Sequence, residues 1–110
     1  MKRLDLHVEL EADVDRIWNW LALEQKVPEA ADRVRDAIEA SFHLLAGHPA
    51  IGIVRWKDHP DLADVRMLVV PHYHNYLVFY RDTPEAVQII AVLHGKRDLP
   101  RRLLETGRFD

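Results

Sequence analysis

The hydrophobic residues change their period at Gly47, and that change restricts the possible folds more than any other feature. Before it, Leu4, Leu6, Val8 and Leu10 alternate with Asp5, His7 and Glu9, the period of a strand with one face on a core. Asp13 then stands where a helix N-cap would accept backbone N–H bonds, and Val14, Ile17, Trp18 and Leu21 follow at helical spacing, which predicts a helix over 13–26. Pro28 suits the first turn of a second helix, because its missing N–H has no intrahelical partner there. Ala31, Val34, Ile38, Leu44 and Leu45 form the buried stripe of that helix, and Gly47 and Pro49 end it. So short a connection makes the two helices an antiparallel hairpin, with Arg33, Asp36 and Glu39 outside.

After Gly47 the apolar residues come in short β-branched or aromatic runs, over 53–56, 65–70, 76–80 and 87–93. Turn-rich segments at 58–64 and 81–85 separate them, and a last helical pattern covers 99–105. The expected architecture is α+β: an N-terminal strand, a helical hairpin, then strands with antiparallel neighbours, and a short C-terminal helix.

Composition narrows the function classes. With 110 residues, 48% hydrophobic and 30% charged, the chain is read as one domain over 1–110, too small for separate substrate and cofactor domains. No apolar run is long enough to span a membrane, and the charged start Met1-Lys2-Arg3 leads into alternation rather than a signal core. The absence of cysteine excludes disulfides and thiolate chemistry and fits a reducing cytoplasm. Charge is uneven: residues 1–47 carry six Lys/Arg against ten Asp/Glu, whereas 94–110 carry five against three. That pattern is not a general nucleic-acid binder. The basic tail of Lys96, Arg97, Arg101, Arg102 and Arg108 is either a solvated helix face or a contact for phosphate or an acidic partner.

Two strands are apolar on both faces. Val65, Met67 and Val69 alternate with Leu68 and Val70, and only Gln88 interrupts the run 87–93. Such strands need two covers. The hairpin supplies one; the other is either completed by loops and the last helix or awaits another chain.

Catalytic patterns are sparse. The four glycines lie singly, so no phosphate loop exists, and the lone Ser41 falls inside a helical stripe. His72 and His74 share one side of an extended segment near His59, a ligand-compatible spacing without a helical zinc motif behind it. His94 closes the last strand beside Gly95, placed either to transfer a proton or to bond a carbonyl at the strand end. Trp18 is read as core by its helical spacing, Tyr76 and Tyr80 share a strand face with Val78, and no aromatic platform interleaved with basic residues is evident.

Several segments together resemble the ParE/RelE superfamily of toxins from bacterial type II toxin–antitoxin modules, formerly labelled plasmid stabilisation proteins. They are Ala12-Asp13-Val14-Asp15-Arg16-Ile17-Trp18, Ala31-Asp32-Arg33, His48-Pro49-Ala50-Ile51-Gly52, Val65-Arg66-Met67-Leu68-Val69 and Asn75-Tyr76-Leu77-Val78-Phe79-Tyr80-Arg81. The closing Val92-Leu93-His94-Gly95-Lys96-Arg97-Asp98-Leu99 is the most specific. The resemblance implies the same fold, no cofactor, and a cognate ParD-like antitoxin whose C-terminal segment wraps the toxin.

Members similar to RelE cleave mRNA on the ribosome with several basic residues on the sheet and a C-terminal tyrosine. Arg66 and Arg97 fall at matching positions, with Arg81 and His94 as substitutes, but Leu68, Tyr76 and Leu103 stand where further catalytic residues belong. The chain looks more like ParE, which lacks that set and poisons DNA gyrase without catalysing a reaction. On charge, the basic tail is where target or antitoxin contacts are expected, with acidic partner residues meeting Arg97, Arg101 or Arg102. A domain that binds antitoxin without toxicity is the third reading.

Overall fold

The computed structural model describes residues 1–110. Strand β1 (Arg3–Leu6) leads into helix α1 (Leu10–Asn19), which continues as a π-helical turn, Trp20–Glu24, before helix α2 (Pro28–Gly47). Strands β2 (Ile53–Val54), β3 (Arg66–Val69), β4 (Tyr76–Asp82) and β5 (Ala86–His94) follow, then helix α3 (Leu99–Glu105). They form one five-stranded sheet in the order β1-β5-β4-β3-β2.

Neighbours from β2 to β5 are antiparallel, as their short connections require. The exception is β1, which pairs in parallel with β5, Arg3 opposite Ala86 and Leu6 opposite Ile89. The helical hairpin and the three strands after it lie between the two, so the N-terminal strand is free to join the far edge in that direction.

The sheet has an apolar layer on each face. Toward the hairpin, Leu10, Val14, Ile17, Val34, Ile38, Phe42 and Leu45 pack on Tyr76, Val78, Tyr80, Val87 and Ile89. On the other face Met67, Leu77, Phe79, Ile90 and Ala91 lie under Leu62 and Val65 from the β2–β3 connection and under Leu99, Leu103 and Phe109. The two-sided strands are therefore covered within the chain: the long loop and α3 make a second core rather than leaving the face open. Trp56, expected in a strand, instead stacks on Phe79 at 6.1 Å.

Three local expectations are corrected. The first strand ends at Leu6, not Leu10, because His7 closes a turn: its Nδ1 accepts from Glu9 N–H at 3.1 Å and its carbonyl from Leu10 N–H at 3.0 Å. The first helix starts at Leu10, so Asp13 is inside it and does not cap it. Trp18 is half-buried rather than core; its Nε1 donates to Asp32 Oδ1 at 2.8 Å, and the Arg35 guanidinium lies over its ring at 5.0 Å, tying the hairpin together. The buried Ser41 donates to the Ala37 carbonyl at 2.9 Å, a helix-internal bond.

Candidate functional site

The region where α1, the end of β5 and the C-terminal segment meet holds the polar chemistry of the molecule. Its geometry follows from the early end of β1. At the level of Ile90 and Val92, β5 has no strand on that side, and an edge there would leave backbone groups bare. Asp13 and Arg108 take the missing strand's place. Val92 N–H donates to Asp13 Oδ2 at 3.0 Å, and Arg108 Nη1 donates to the Ile90 carbonyl at 3.0 Å. Ile90 is also the extra residue of a bulge, where Phe79 faces Ala91 and Tyr80 faces Ile89.

Arg108 and Asp13 then bind each other in a fork, Nη1 to Oδ2 at 2.7 Å and Nη2 to Oδ1 at 2.8 Å. Both side chains are buried, 6% and 3% exposed. The bond to Asp13 holds the Arg108 pKa above its usual value, against the opposing effect of burial. The Asp13 carboxylate thus accepts from Val92 N–H and twice from Arg108, with Arg16 Nη1 a further donor at 3.5 Å.

Beside this joint lies a cleft of about 260 Å³ lined by Arg16, Trp20, Tyr76, His94 and Arg102. The His94 ring sits between two aromatics, 5.2 Å from Trp20 and 5.0 Å from Tyr76. Burial raises the Tyr76 pKa, so its phenol stays protonated. Arg102 forms one wall: Nη2 donates to the His94 carbonyl at 2.7 Å and Nη1 to the Arg97 carbonyl at 3.3 Å, which fixes the turn between β5 and α3. Gly95 takes φ +84° in that turn and Asp98 takes φ +51°.

The expected site residues do not converge. Arg66 donates to the Gly52 carbonyl at 2.8 Å and the Ala50 carbonyl at 3.2 Å, beside Tyr80, on the hairpin side of the sheet. Arg81, next in sequence to Tyr80, points to the opposite face, where it binds Asp64 Oδ1 at 2.9 Å and the carbonyls of Asp61 and Phe109. His94 pairs with Tyr76, four residues along β4 from Tyr80, or about 13 Å from the Arg66 level at ~3.3 Å per residue.

The basic tail is largely self-satisfied. Arg101 bridges Asp98 and Glu105 on its own helix, which raises its pKa, chiefly through the Asp98 bond. Arg102 holds carbonyls and Arg108 is buried, so Lys96 and Arg97 are the exposed cations of the segment outside any ion pair. His59 Nδ1 accepts from Asp61 N–H at 3.3 Å and His72 adopts φ +70°, both turn roles. No three His, Asp or Glu side chains converge in a way that could hold a metal.

The cluster of Arg16, Trp20, His94 and Arg102 is not legible in the sequence, because its residues come from segments far apart in the chain. The available signal was Trp20 itself, three residues after Ile17 and at the margin of the apolar stripe, where a large ring emerges at the helix edge.

With this geometry in place, residues 4–99 match the family model described as the ParE toxin of the type II toxin–antitoxin system, parDE. The chain belongs to the ParE toxin family. The match ends where α3 begins, so Arg108 lies beyond it while its partner Asp13 lies within. Among solved structures, a chromosomal ParDE toxin–antitoxin system from P. aeruginosa shares the fold with a TM-score of 0.68. It is 22% identical, and the alignment covers 87% of this chain and 98% of that one. No curated protein matches the sequence significantly. No helix is long and apolar enough to cross a membrane.

Proposed function

We propose that this ParE-family chain is a cytoplasmic toxin that poisons DNA gyrase without catalysing a reaction and is neutralised by a cognate ParD-like antitoxin. One observation carries the non-enzymatic reading: Arg66 and Arg81, two of the basic residues a nuclease of this fold would use, are spent on structure and separated from each other, which leaves Arg97 as the one exposed arginine of the candidate set. Cleaving RNA requires convergent groups that neutralise the phosphate and move protons. Arg66 and Arg81 lie on opposite faces, each holding backbone carbonyls, and His94 has aromatic neighbours rather than a hydrogen-bonded carboxylate.

An antitoxin segment has a place to bind. β1 is an outer strand of the sheet, with its free edge open to another strand. Beside it runs a groove of about 450 Å³ lined by Leu4, Leu6, Val8, Leu10, Val14 and Phe42, with Arg35, Glu39 and His43 at its polar margin. Leu6 and Val8 are 51% and 89% exposed, an apolar pair of the kind an added strand buries.

Induction of the chain in a bacterium tests the reading. DNA breaks with intact transcripts support it, codon-specific mRNA cuts replace it with ribosome-dependent cleavage, and unimpaired growth leaves only antitoxin binding.

A further inference from the structure

Helix α1 and the π-helical turn carry apolar residues on two sides, and only one side is covered. Leu10, Val14 and Ile17 are buried in the core, whereas Trp20, Leu23 and Val27, within one stretch of eight residues, remain 38%, 66% and 42% exposed. We propose that this outer face docks a second copy of the chain, α1 lying antiparallel on α1 about a two-fold axis at Trp20, with Arg16 of each copy paired to Glu24 of the other. Such pairing is independent of which enzyme the toxin targets.

The face is a continuous groove of about 620 Å³ lined by Ala12, Arg16, Asn19, Trp20, Leu23 and Glu24, with Asp15 at its margin. Arg16, Trp20 and Glu24 are spaced four residues apart and so form one row along the helix. Trp20 stands in the middle of that row with its ring set against His94 at 5.2 Å, an aromatic anchor positioned before any partner arrives. The exposed Glu24 makes no ion pair within the chain. Arg16 is 70% exposed, and its contact to Asp13 Oδ1, made by Nη1 at 3.5 Å, leaves Nη2 and Nε to donate elsewhere.

Charge complementarity selects the occupant. Arg16 lies one turn before Trp20 and Glu24 one turn after it, so the row runs base, ring, acid. Reversing the helix about the ring exchanges the ends, which places each Arg16 against a Glu24 and the two Trp20 rings side by side. A parallel copy would set Arg16 on Arg16 and Glu24 on Glu24. An unrelated helix has to supply acid, apolar surface and base in the reverse order, and this chain already carries that order. The same rotation lays Leu23 and Val27 over the first half of the other α1, where Ala12 leaves room for them. Asp15 lies on the other flank, toward the groove beside β1 that it also lines, and stays at the wet rim. One helix a side is a small interface, so dissociation in the range of about 1–100 μM is expected.

Sedimentation equilibrium of the full-length protein over a concentration series tests this. The expected result is a reversible monomer–dimer equilibrium that Leu23→Glu and Glu24→Arg each weaken at least about tenfold, since a charge enters the apolar seam or faces a like charge. Arg16→Glu should act as Glu24→Arg does, and an equimolar mixture of these two variants should regain the dimer, because every opposed pair across the axis is again of unlike charge. That recovery has no counterpart if the face binds a different protein or if either change merely harms the fold. Circular dichroism must show each variant folded; if Arg16→Glu is not, Leu23→Glu and Glu24→Arg, both at exposed positions, carry the test. A single-chain mass at concentrations up to about 1 mM, a dimer that survives Leu23→Glu, or a mixture of the folded variants that stays monomeric would each overturn the proposal.

Discussion

Arg108 and Asp13, 95 residues apart in sequence, form a buried two-pronged ion pair that also satisfies the backbone of β5 where β1 has ended. A helix, a strand and the C-terminus are thereby joined at one point. Removing one partner strands the other charge in a site with little access to water, so Asp13→Ala and Arg108→Ala should each lower stability by about 3–5 kcal/mol. Urea unfolding measures this. The double variant should lose less than the sum of the singles, because the two changes remove one shared interaction.

The C-terminal helix is part of the second core rather than a wholly solvated helix. Leu99, Leu103 and Phe109 are 5%, 0% and 3% exposed on the second face. Truncation after Thr106 removes Phe109 together with Arg108, and loss of a buried aromatic alone costs about 3–5 kcal/mol. The truncated protein should bind a hydrophobic dye and unfold at a clearly lower temperature. A cooperative, full-length-like melt would show that the second face is held by other means.

Tyr80 locks the connection after α2: its hydroxyl donates to the Pro49 carbonyl at 2.7 Å and accepts from Gly52 N–H at 2.8 Å. A Cβ at Gly52 would overlap the phenol, which explains a glycine in a position that φ does not demand. Tyr80→Phe leaves the buried Gly52 N–H unpaired and should cost about 1–3 kcal/mol. Burial raises the Tyr80 pKa above 10.0, with the Gly52 bond opposing it. The folded state therefore holds this proton longer than the unfolded chain, so its contribution is complete below pH ~10 and is lost as pH rises through the folded pKa. Denaturant midpoints measured from pH 9 upward should fall with pH, and less steeply in Tyr80→Phe.

The free edge of β1 separates binding from folding. Leu6→Asp and Val8→Asp replace exposed residues, so each should change stability by no more than about 0.5 kcal/mol. If an antitoxin strand seats here, the same substitutions should weaken the toxin–antitoxin complex by at least about tenfold in calorimetry, since a buried charge replaces buried apolar surface. Undiminished affinity would move the antitoxin to another surface.

Periodicity carried much of this fold because local pattern and tertiary role agree in α2, β4, β5 and α3. The helix over 28–47 and the one over 99–105 are where the stripes of Val34, Ile38 and Leu45 and of Leu99 and Leu103 put them. What the chain did not disclose locally are relations between distant residues. Asp13 has the chemistry of an N-cap, and only Arg108 and the exposed edge of β5 give it another use. Trp56 has strand propensity but finds a better surface on Phe79. The parallel partner of β1 depends on how the whole hairpin folds back, which no short window contains. The same holds for the aromatic cleft, assembled from Arg16, Trp20, Tyr76, His94 and Arg102, which are scattered over five elements.

Gyrase rather than RNA is the target we propose for this ParE-family chain, whose Arg66 and Arg81 hold backbone carbonyls on opposite faces of the sheet. The most direct measurement incubates the purified protein with DNA gyrase, ATP and relaxed plasmid, then separates supercoiled from cleaved DNA. The expected result is loss of supercoiling and accumulation of linear plasmid, both reversed by the cognate antitoxin. Normal supercoiling by gyrase, alongside codon-specific transcript cleavage with translating ribosomes that His94→Ala or Arg97→Ala abolishes, would contradict it.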